Sequence, residues 1–285
     1  MRIAIIGLGL IGSSIGLALK RSNWQKAEIV GYARRSEVAQ TALEMGVVDI
    51  TSESLEESVE SAELVIIATP VLAVKEILTK VAPHLVSGCI ITDTASTKLQ
   101  VLQWAKELLP KEISFIGGHP MAGKETFGIK AAEAQLFDNC AYCLIPASQV
   151  KPTAVQIVTS MVEMIGAIPI TISAEEHDRL VAGISHLPLL LSAALVMATT
   201  QHPSWEQMSQ LASSGYRDIT RLASGNPEVN AHICLSNRGA IVSWIDEFIE
   251  KLRDLSKLVA DGDNEIEEAL ALASEARRRW LEKRC

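Results

Sequence analysis

Two histidines, a serine and a pair of arginines stand at spacings that suit proton transfer beside a bound acid. His119 lies in Gly117-Gly118-His119-Pro120-Met121-Ala122-Gly123, at the end of the apolar run Ser114–Gly117. Imidazole titrates near pH 6.5 when unperturbed, which makes it the natural base at neutral pH. Ser96 sits in Asp93-Thr94-Ala95-Ser96-Thr97-Lys98, directly after the apolar run Cys89–Thr92. Within hydrogen-bond reach it would orient the imidazole or contact a substrate hydroxyl. His186 precedes Pro188 in an otherwise apolar stretch; taken alone, that context favours a satisfied core histidine over a cleft residue. Arg217 and Arg221 are one helical turn apart in a polar interruption that begins at Ser213, and together they would clamp a carboxylate. Surface pairing with Asp218 is the bland alternative.

Placing these groups side by side requires strand ends that share one edge of a sheet, and the N-terminus predicts such a sheet. The short apolar run that begins at Met1 stops at Gly7-Leu8-Gly9-Leu10-Ile11-Gly12, and a small-residue helix from about Leu10 to Arg21 follows. Gly7 permits the tight turn, Gly9 admits a pyrophosphate to the backbone, and Gly12 lets helix and strand approach. The phosphates would then meet the positive end of the helix dipole. A strand–turn–helix context at the start of the chain strengthens an otherwise weak motif. After the second strand, Glu28–Tyr32, an NAD-binding unit places an acid for the ribose hydroxyls. Arg34, Arg35 and Ser36 stand there instead. Guanidinium forks suit a 2′-phosphate, so NADP is favoured over NAD, with a solvated basic turn as the alternative. Thr69 and Pro70, after Leu64–Ala68, and Thr94, after Cys89–Thr92, are expected to border the nicotinamide ribose.

Strands and helices alternate through a last strand at Ala167–Ile172, with Lys124–Asp138 read as a mobile excursion over the site. At Ser173-Ala174-Glu175-Glu176, a capping box, the pattern turns helical. A long helix spans Ala174–Thr200 with Pro188 inside it, which must kink or break the ladder. Amphipathic helices follow over Asn237–Val259 and Glu265–Glu282. The fold class is therefore α/β: a Rossmann-type doubly wound parallel sheet over residues 1–172, with an antiparallel tail, then an all-α domain over 173–285.

Composition narrows the functions further. With 34 acidic against 26 basic residues, the net charge of −8 argues against nucleic acid as the main partner. No apolar run is read as reaching the ~20 residues of a membrane span. Five cysteines form no disulfide framework, which fits a cytoplasmic protein. Cys140 and Cys143 make a C-x-x-C inside a strand, without a second pair or a histidine at zinc spacing, so no metal is expected. Asp261-Gly262-Asp263-Asn264-Glu265 resembles a calcium loop but carries Ile266 where glycine is needed, and reads as a turn with a helix cap.

Taken together, Gly7–Ser14, Asp93-x-x-Ser96-x-Lys98, Gly117–Gly123, Ser185-His186-Leu187-Pro188 and Gly215–Arg221 resemble, in order, the prephenate and arogenate dehydrogenases of tyrosine biosynthesis. The resemblance implies a homodimer built on the helical domain and oxidative decarboxylation of a cyclohexadienyl acid, prephenate or arogenate. It implies that His119 takes the ring hydroxyl proton while Ser96 hydrogen-bonds His119. Arg221 would hold a carboxylate, assisted by Arg217 and Ser213, and His186 moves from core to substrate pocket. Many prephenate-using members carry a second histidine after the proline, where Leu189 stands here. That substitution makes arogenate a serious candidate and sits comfortably with the arginine signal for NADP. No residues remain for an appended regulatory domain, so tyrosine would inhibit, if at all, by competition at the active site. A β-hydroxyacid dehydrogenase or imine reductase is the competing enzyme class, but His177–Pro188 lacks the lysine that the former resemblance requires. A non-catalytic NADP-sensing regulator would leave His119, Ser96 and Arg221 without a joint role.

Overall fold

The computed structural model describes residues 1–124, 126–262 and 264–282. Among the described residues eight strands form one sheet: β1 (Arg2–Ile6), β2 (Glu28–Tyr32), β3 (Ile50–Thr51), β4 (Leu64–Ile67), β5 (Ile90–Asp93), β6 (Ser114–Pro120), β7 (Ala141–Pro146) and β8 (Ile168–Thr171). Their order is β3-β2-β1-β4-β5-β6-β7-β8. Six consecutive neighbours from β3 to β6 run parallel, β7 pairs antiparallel with β6, and β8 pairs parallel with β7. The expected doubly wound sheet is present, and its tail is mixed rather than simply antiparallel. The strand order reverses between β1 and β4, and ligands bind at the carboxyl ends beside such a switch point.

Alternation along the strands builds both faces. Ile3 and Ile5 of β1, with Leu64 and Ile66 of β4, pack under α1 (Leu10–Ser22), α2 (Ser36–Glu44) and, farther along the sheet, α6 (Pro152–Met164). Ala4 and Ile6, with Val65 and Ile67, pack under α3 (Leu55–Val59), α4 (Val74–Val81) and α5 (Leu99–Leu108). Burying each large aliphatic side chain contributes roughly 1.5–3 kcal/mol, so a sheet covered on both faces accepts uninterrupted apolar runs such as Leu64–Ile67. The pair β3 and α3 was not foreseen, because a two-residue strand has no readable period; Ser54 Oγ caps α3 by accepting from Glu57 N at 3.1 Å.

In the segment read as a mobile excursion, residues 126–138 are tied to the core at several points, and Glu125 lies outside the described residues. Ile129 and Phe137 are buried in the core beneath α1, and Glu133 N donates to Ser14 Oγ at 3.0 Å.

Past β8 the chain is helical: α7 (Ala174–Val181), α8 (Leu187–Thr200), α9 (Trp205–Leu211), α10 (Ser214–Thr220), α11 (Pro227–Ser236), α12 (Arg238–Asp261) and α13 (Glu265–Glu282). Ser173 Oγ caps α7 by accepting from Glu176 N at 3.2 Å, as the capping box requires. Between α7 and α8 lies a π-helical turn, Ala182–His186. Pro188 has no N–H to offer the carbonyl one turn back, and the widened turn immediately before it absorbs the mismatch without breaking the helix. The resulting stretch Ala174–Thr200 has 27 residues and a mean hydropathy of 2.0 in its most apolar window, enough by length and composition to cross a membrane. This corrects the expectation that no run reaches that length. Charged residues crowd its first two turns and mask the run, whereas 182–200 carries no acid, lysine or arginine.

Two compact units emerge, Met1–Arg238 and a second from Gly239 onward. In the second unit α12 and α13 are amphipathic, and Ile241 is the buried side chain of α12. The turn read at Asp261–Glu265 includes Asp263, which lies outside the described residues.

Candidate active site

At the β1–α1 turn the backbone leaves no room for side chains where the strand meets the helix. Gly7 adopts φ +99°, and a Cβ on Gly12 would stand 2.0 Å from the Gly7 carbonyl oxygen. Gly9 is the opposite case: nothing lies within 4 Å of where its Cβ would be. One glycine thus permits close packing, and another opens space at the N-terminus of α1, where amide groups favour an anion. Leu8 is buried below the turn, while Leu10 and Ile11 open the helix. At the end of β4, Thr69 Oγ1 is buried and has no partner among the described residues, and Pro70 follows it. Thr94 N donates to Ile67 O at 3.0 Å, which places its residue beside the same strand end. An open cradle with a buried, unanswered hydroxyl fits a dinucleotide. Arg34, Arg35 and Ser36 are exposed just past β2, with Arg35 at the N-cap position of α2.

The histidine site is assembled from distant elements. His119 is near the carboxyl end of β6 and is 8% exposed. Its Nδ1 lies 2.9 Å from His177 Nε2, and His177 Nδ1 lies 2.8 Å from Asp178 Oδ1. Asp178 also accepts from Lys98 N at 2.8 Å and Leu99 N at 2.9 Å, so both of its oxygens act as acceptors at the start of α5. An acceptor-only carboxylate requires His177 Nδ1 to donate. With Nδ1 donating to the carboxylate, His177 Nε2 can accept from His119 Nδ1–H, and that tautomer pair leaves His119 Nε2 as the free base. Burial, followed by electrostatic opposition from the Lys98 side and the other two imidazoles to a further positive charge there, holds the His119 pKa well below its usual value.

Below this relay lies a second buried pair. Lys98 and Asp93 are both 0% exposed and joined by an ion pair. Asp93 Oδ1 accepts from Gly118 N at 3.1 Å, and Lys98 Nζ donates to Gly118 O at 2.7 Å. The pair therefore grips both polar groups of the residue before His119. Burial pulls the Lys98 ammonium below its usual range against the opposing pull of Asp93.

His186 reaches the cluster through the π-turn. It lies eight residues after Asp178. In a plain α-helix eight residues would leave it about 80° around the axis from Asp178. A π-turn acts as a one-residue insertion, so the eight turn like seven and bring it back to within about 20°. Both side chains are buried, each with its residue 1% exposed. Thr97 Oγ1 and Ser236 Oγ, 2.8 Å apart, tie the loop after β5 to the end of α11.

Comparison with known proteins gives this arrangement its context. Residues 15–171 match the family profile described as "Prephenate dehydrogenase, nucleotide-binding domain", and residues 173–272 match "Prephenate dehydrogenase, dimerization domain". The chain belongs to the prephenate dehydrogenase family. It is 37% identical to a prephenate dehydrogenase of Bacillus subtilis over 92% of this chain and 71% of that one. It superposes on Synechocystis arogenate dehydrogenase with a TM-score of 0.83 at 32% identity, covering 98% of this chain and 100% of that one. It superposes on Aquifex aeolicus prephenate dehydrogenase, solved with hydroxyphenyl propionate and NAD+, with a TM-score of 0.91 at 27% identity, covering 98% of each chain. Members are oxidoreductases, and the dehydrogenase here carries the family's nucleotide-binding domain, which supports use of NAD(P).

Within this dehydrogenase the expected site residues separate into two groups. His119 and His186 meet in one cluster. Ser96 is half-buried on the loop after β5, and His119 Nδ1 is taken up by His177. His119 projects to the side of the sheet that carries α5, and α7 packs there against α5, delivering His177 to it. Ser213, Arg217 and Arg221 lie exposed on and beside α10; Arg217 stands 3.7 Å from Asp218, which is the bland pairing. His177, Asp178 and Asn237 went unread. The first two did leave a signal: Ala174, His177, Asp178 and Val181 form the buried face of α7 at i, i+3, i+4, i+7 spacing. Two polar residues on a core-facing stripe call for partners.

Proposed function

We propose that the protein catalyses the NADP-preferring oxidative decarboxylation of a cyclohexadienyl acid, arogenate or prephenate, with His119 as the base. The observation that carries this reading is the Asp178–His177–His119 relay, which leaves His119 Nε2 unprotonated at neutral pH beside the strand ends that flank the cradle. Gly7, Gly9 and Gly12 would hold the pyrophosphate, and Thr69, Pro70 and Thr94 would border the nicotinamide ribose. When bound, the dinucleotide supplies the hydride acceptor. His119 Nε2 takes the proton of the ring hydroxyl, and its growing positive charge is shared through His177 with the Asp178 carboxylate. Loss of the ring carboxylate as CO2 restores aromaticity and drives the reaction forward. Ser96 contacts the substrate hydroxyl, and Arg221, with Arg217 and Ser213, binds a substrate carboxylate.

NADP preference rests on Arg34 and Arg35, exposed where an acid would otherwise meet the ribose. Homodimerisation through the helices from 173 onward is supported by large apolar side chains left open on this chain, among them Ile184 (72% exposed), Leu211 (83%) and Leu272 (73%). The test is a purified-enzyme assay of prephenate and arogenate, each with NAD and NADP, following the reduced cofactor. Arg34→Ala with Arg35→Ala should raise KM for NADP far more than for NAD. Equal effects on both would refute the 2′-phosphate role, and no turnover of either acid would refute the substrate class.

A further inference from the structure

Asn237 follows α11 and is 6% exposed, a buried carboxamide that the relay does not use. Its Nδ2 lies 2.8 Å from the Asp178 carbonyl oxygen and 3.3 Å from His186 Nδ1. A backbone carbonyl only accepts, so the atom facing it must be the NH2 group, which fixes which way the amide points. The second hydrogen of that NH2 is then directed at His186 Nδ1, which must offer a lone pair. An uncharged imidazole with its lone pair on Nδ1 carries its proton on Nε2. His186 Nε2 is buried and has no partner among the described residues.

We propose that Asn237 is a positioning residue that sets His186 as a neutral imidazole protonated on Nε2, a donor held for an oxygen of the bound substrate. The inference rests on the cyclohexadienyl acid reading for what the donor meets, but the protonation pattern itself does not. A buried N–H without a partner is unfavourable, and a site that keeps one is suited to a ligand that answers it. The charged and titratable groups around this ring are Asp178 and His177, with His119 beyond them. Burial dominates over the attraction of Asp178 and brings the His186 pKa to about 4, so the ring stays uncharged at neutral pH. Such a donor recognises an oxygen by direction rather than by charge. Asn237 also joins the two sides of the site, because the same NH2 group grips the helix turn that supplies the relay.

The test uses the full-length protein labelled with nitrogen-15, with His186 assigned by comparison with His186→Gln. Long-range proton–nitrogen spectra of the unmodified protein should show His186 protonated on Nε2 and bare on Nδ1. Adding hydroxyphenyl propionate with NAD+ should shift the Nε2–H resonance. A His186 protonated on Nδ1, or an Nε2–H resonance indifferent to that ligand, overturns the proposal. Turnover adds a second arm: Asn237→Asp, which favours a proton on Nδ1, should raise substrate KM about tenfold while kcat and dinucleotide KM change little. An unchanged substrate KM in a variant that melts like the parent would also overturn it. Should neither prephenate nor arogenate be turned over, the functional reading fails, while the spectrum still decides the role of Asn237.

Discussion

The glycine cradle and the histidine cluster lie near the same edge of one sheet and are built by opposite means. The cradle is contiguous: Gly7 to Gly12 make a turn whose shape is enforced by what would collide, a Cβ on Gly12 against the Gly7 carbonyl at 2.0 Å. The cluster is dispersed. It joins β6 to α7 through His119 and His177, α7 to α5 through Asp178, and α11 to both helical turns through Asn237. The backbone specifies the first site, and a chain of donors and acceptors specifies the second. A backbone site holds a ligand that many reactions share, whereas a side-chain network sets a protonation state that one reaction needs.

Breaking the network should cost most in rate. His119→Asn is expected to lower turnover by ~10²–10⁴ while leaving dinucleotide affinity near the parent value, the scale of a lost general base. Single-turnover kinetics and cofactor titration separate these effects, and undiminished turnover would remove His119 from the mechanism.

The cradle should respond through stability and binding instead. Gly12→Ala forces a contact that cannot relax and should destabilise the fold by about 1–3 kcal/mol in denaturant melts. Gly9→Ala meets open space, so it should melt like the parent yet bind the dinucleotide more weakly. If Gly9→Ala binds it normally, the open space is not where the phosphates sit.

The smallest effect sharpens the contrast in pH. His119 must be uncharged to act, and burial, reinforced by His177, Lys98 and His186, lowers its folded-state pKa below the ordinary 6.5. Activity should therefore stay level as pH falls past 6.5 and decline only through the lowered value, because acid then protonates the base. A kcat/KM profile with its acid limb at 6.5 or above would show that the relay does not hold His119 neutral.

The contrast also explains what could be read in advance. Strand and helix limits at β1, α1, β2 and β4 follow from local periodicity and fall within a residue or so of expectation. His119 stood out because glycines and a proline frame it. Ser96 and His119 stand out together at neighbouring strand ends, but position along a sheet edge does not reveal that α7 closes over it and brings His177 to His119 Nδ1. His177 and Asp178 follow a charged first turn that reads as a solvated helix start; their spacing with Ala174 and Val181 marks a buried stripe, but their partners appear only where α7 meets α5. Asn237 carries no local pattern at all; its role exists only in the distances to Asp178 and His186.

The π-turn at Ala182–His186 has a consequence for how this helix can vary in length. Because it stores one surplus residue, length and facing are uncoupled there. Deleting one residue within the turn and closing it as an ordinary α-helix would keep the histidine aligned with Asp178. Straightening the turn at full length would instead swing the histidine, and all of α8 behind it, by about 100°. In an alignment, a one-residue gap at this place would therefore mark conserved geometry, and the ungapped but straightened helix would be the altered one.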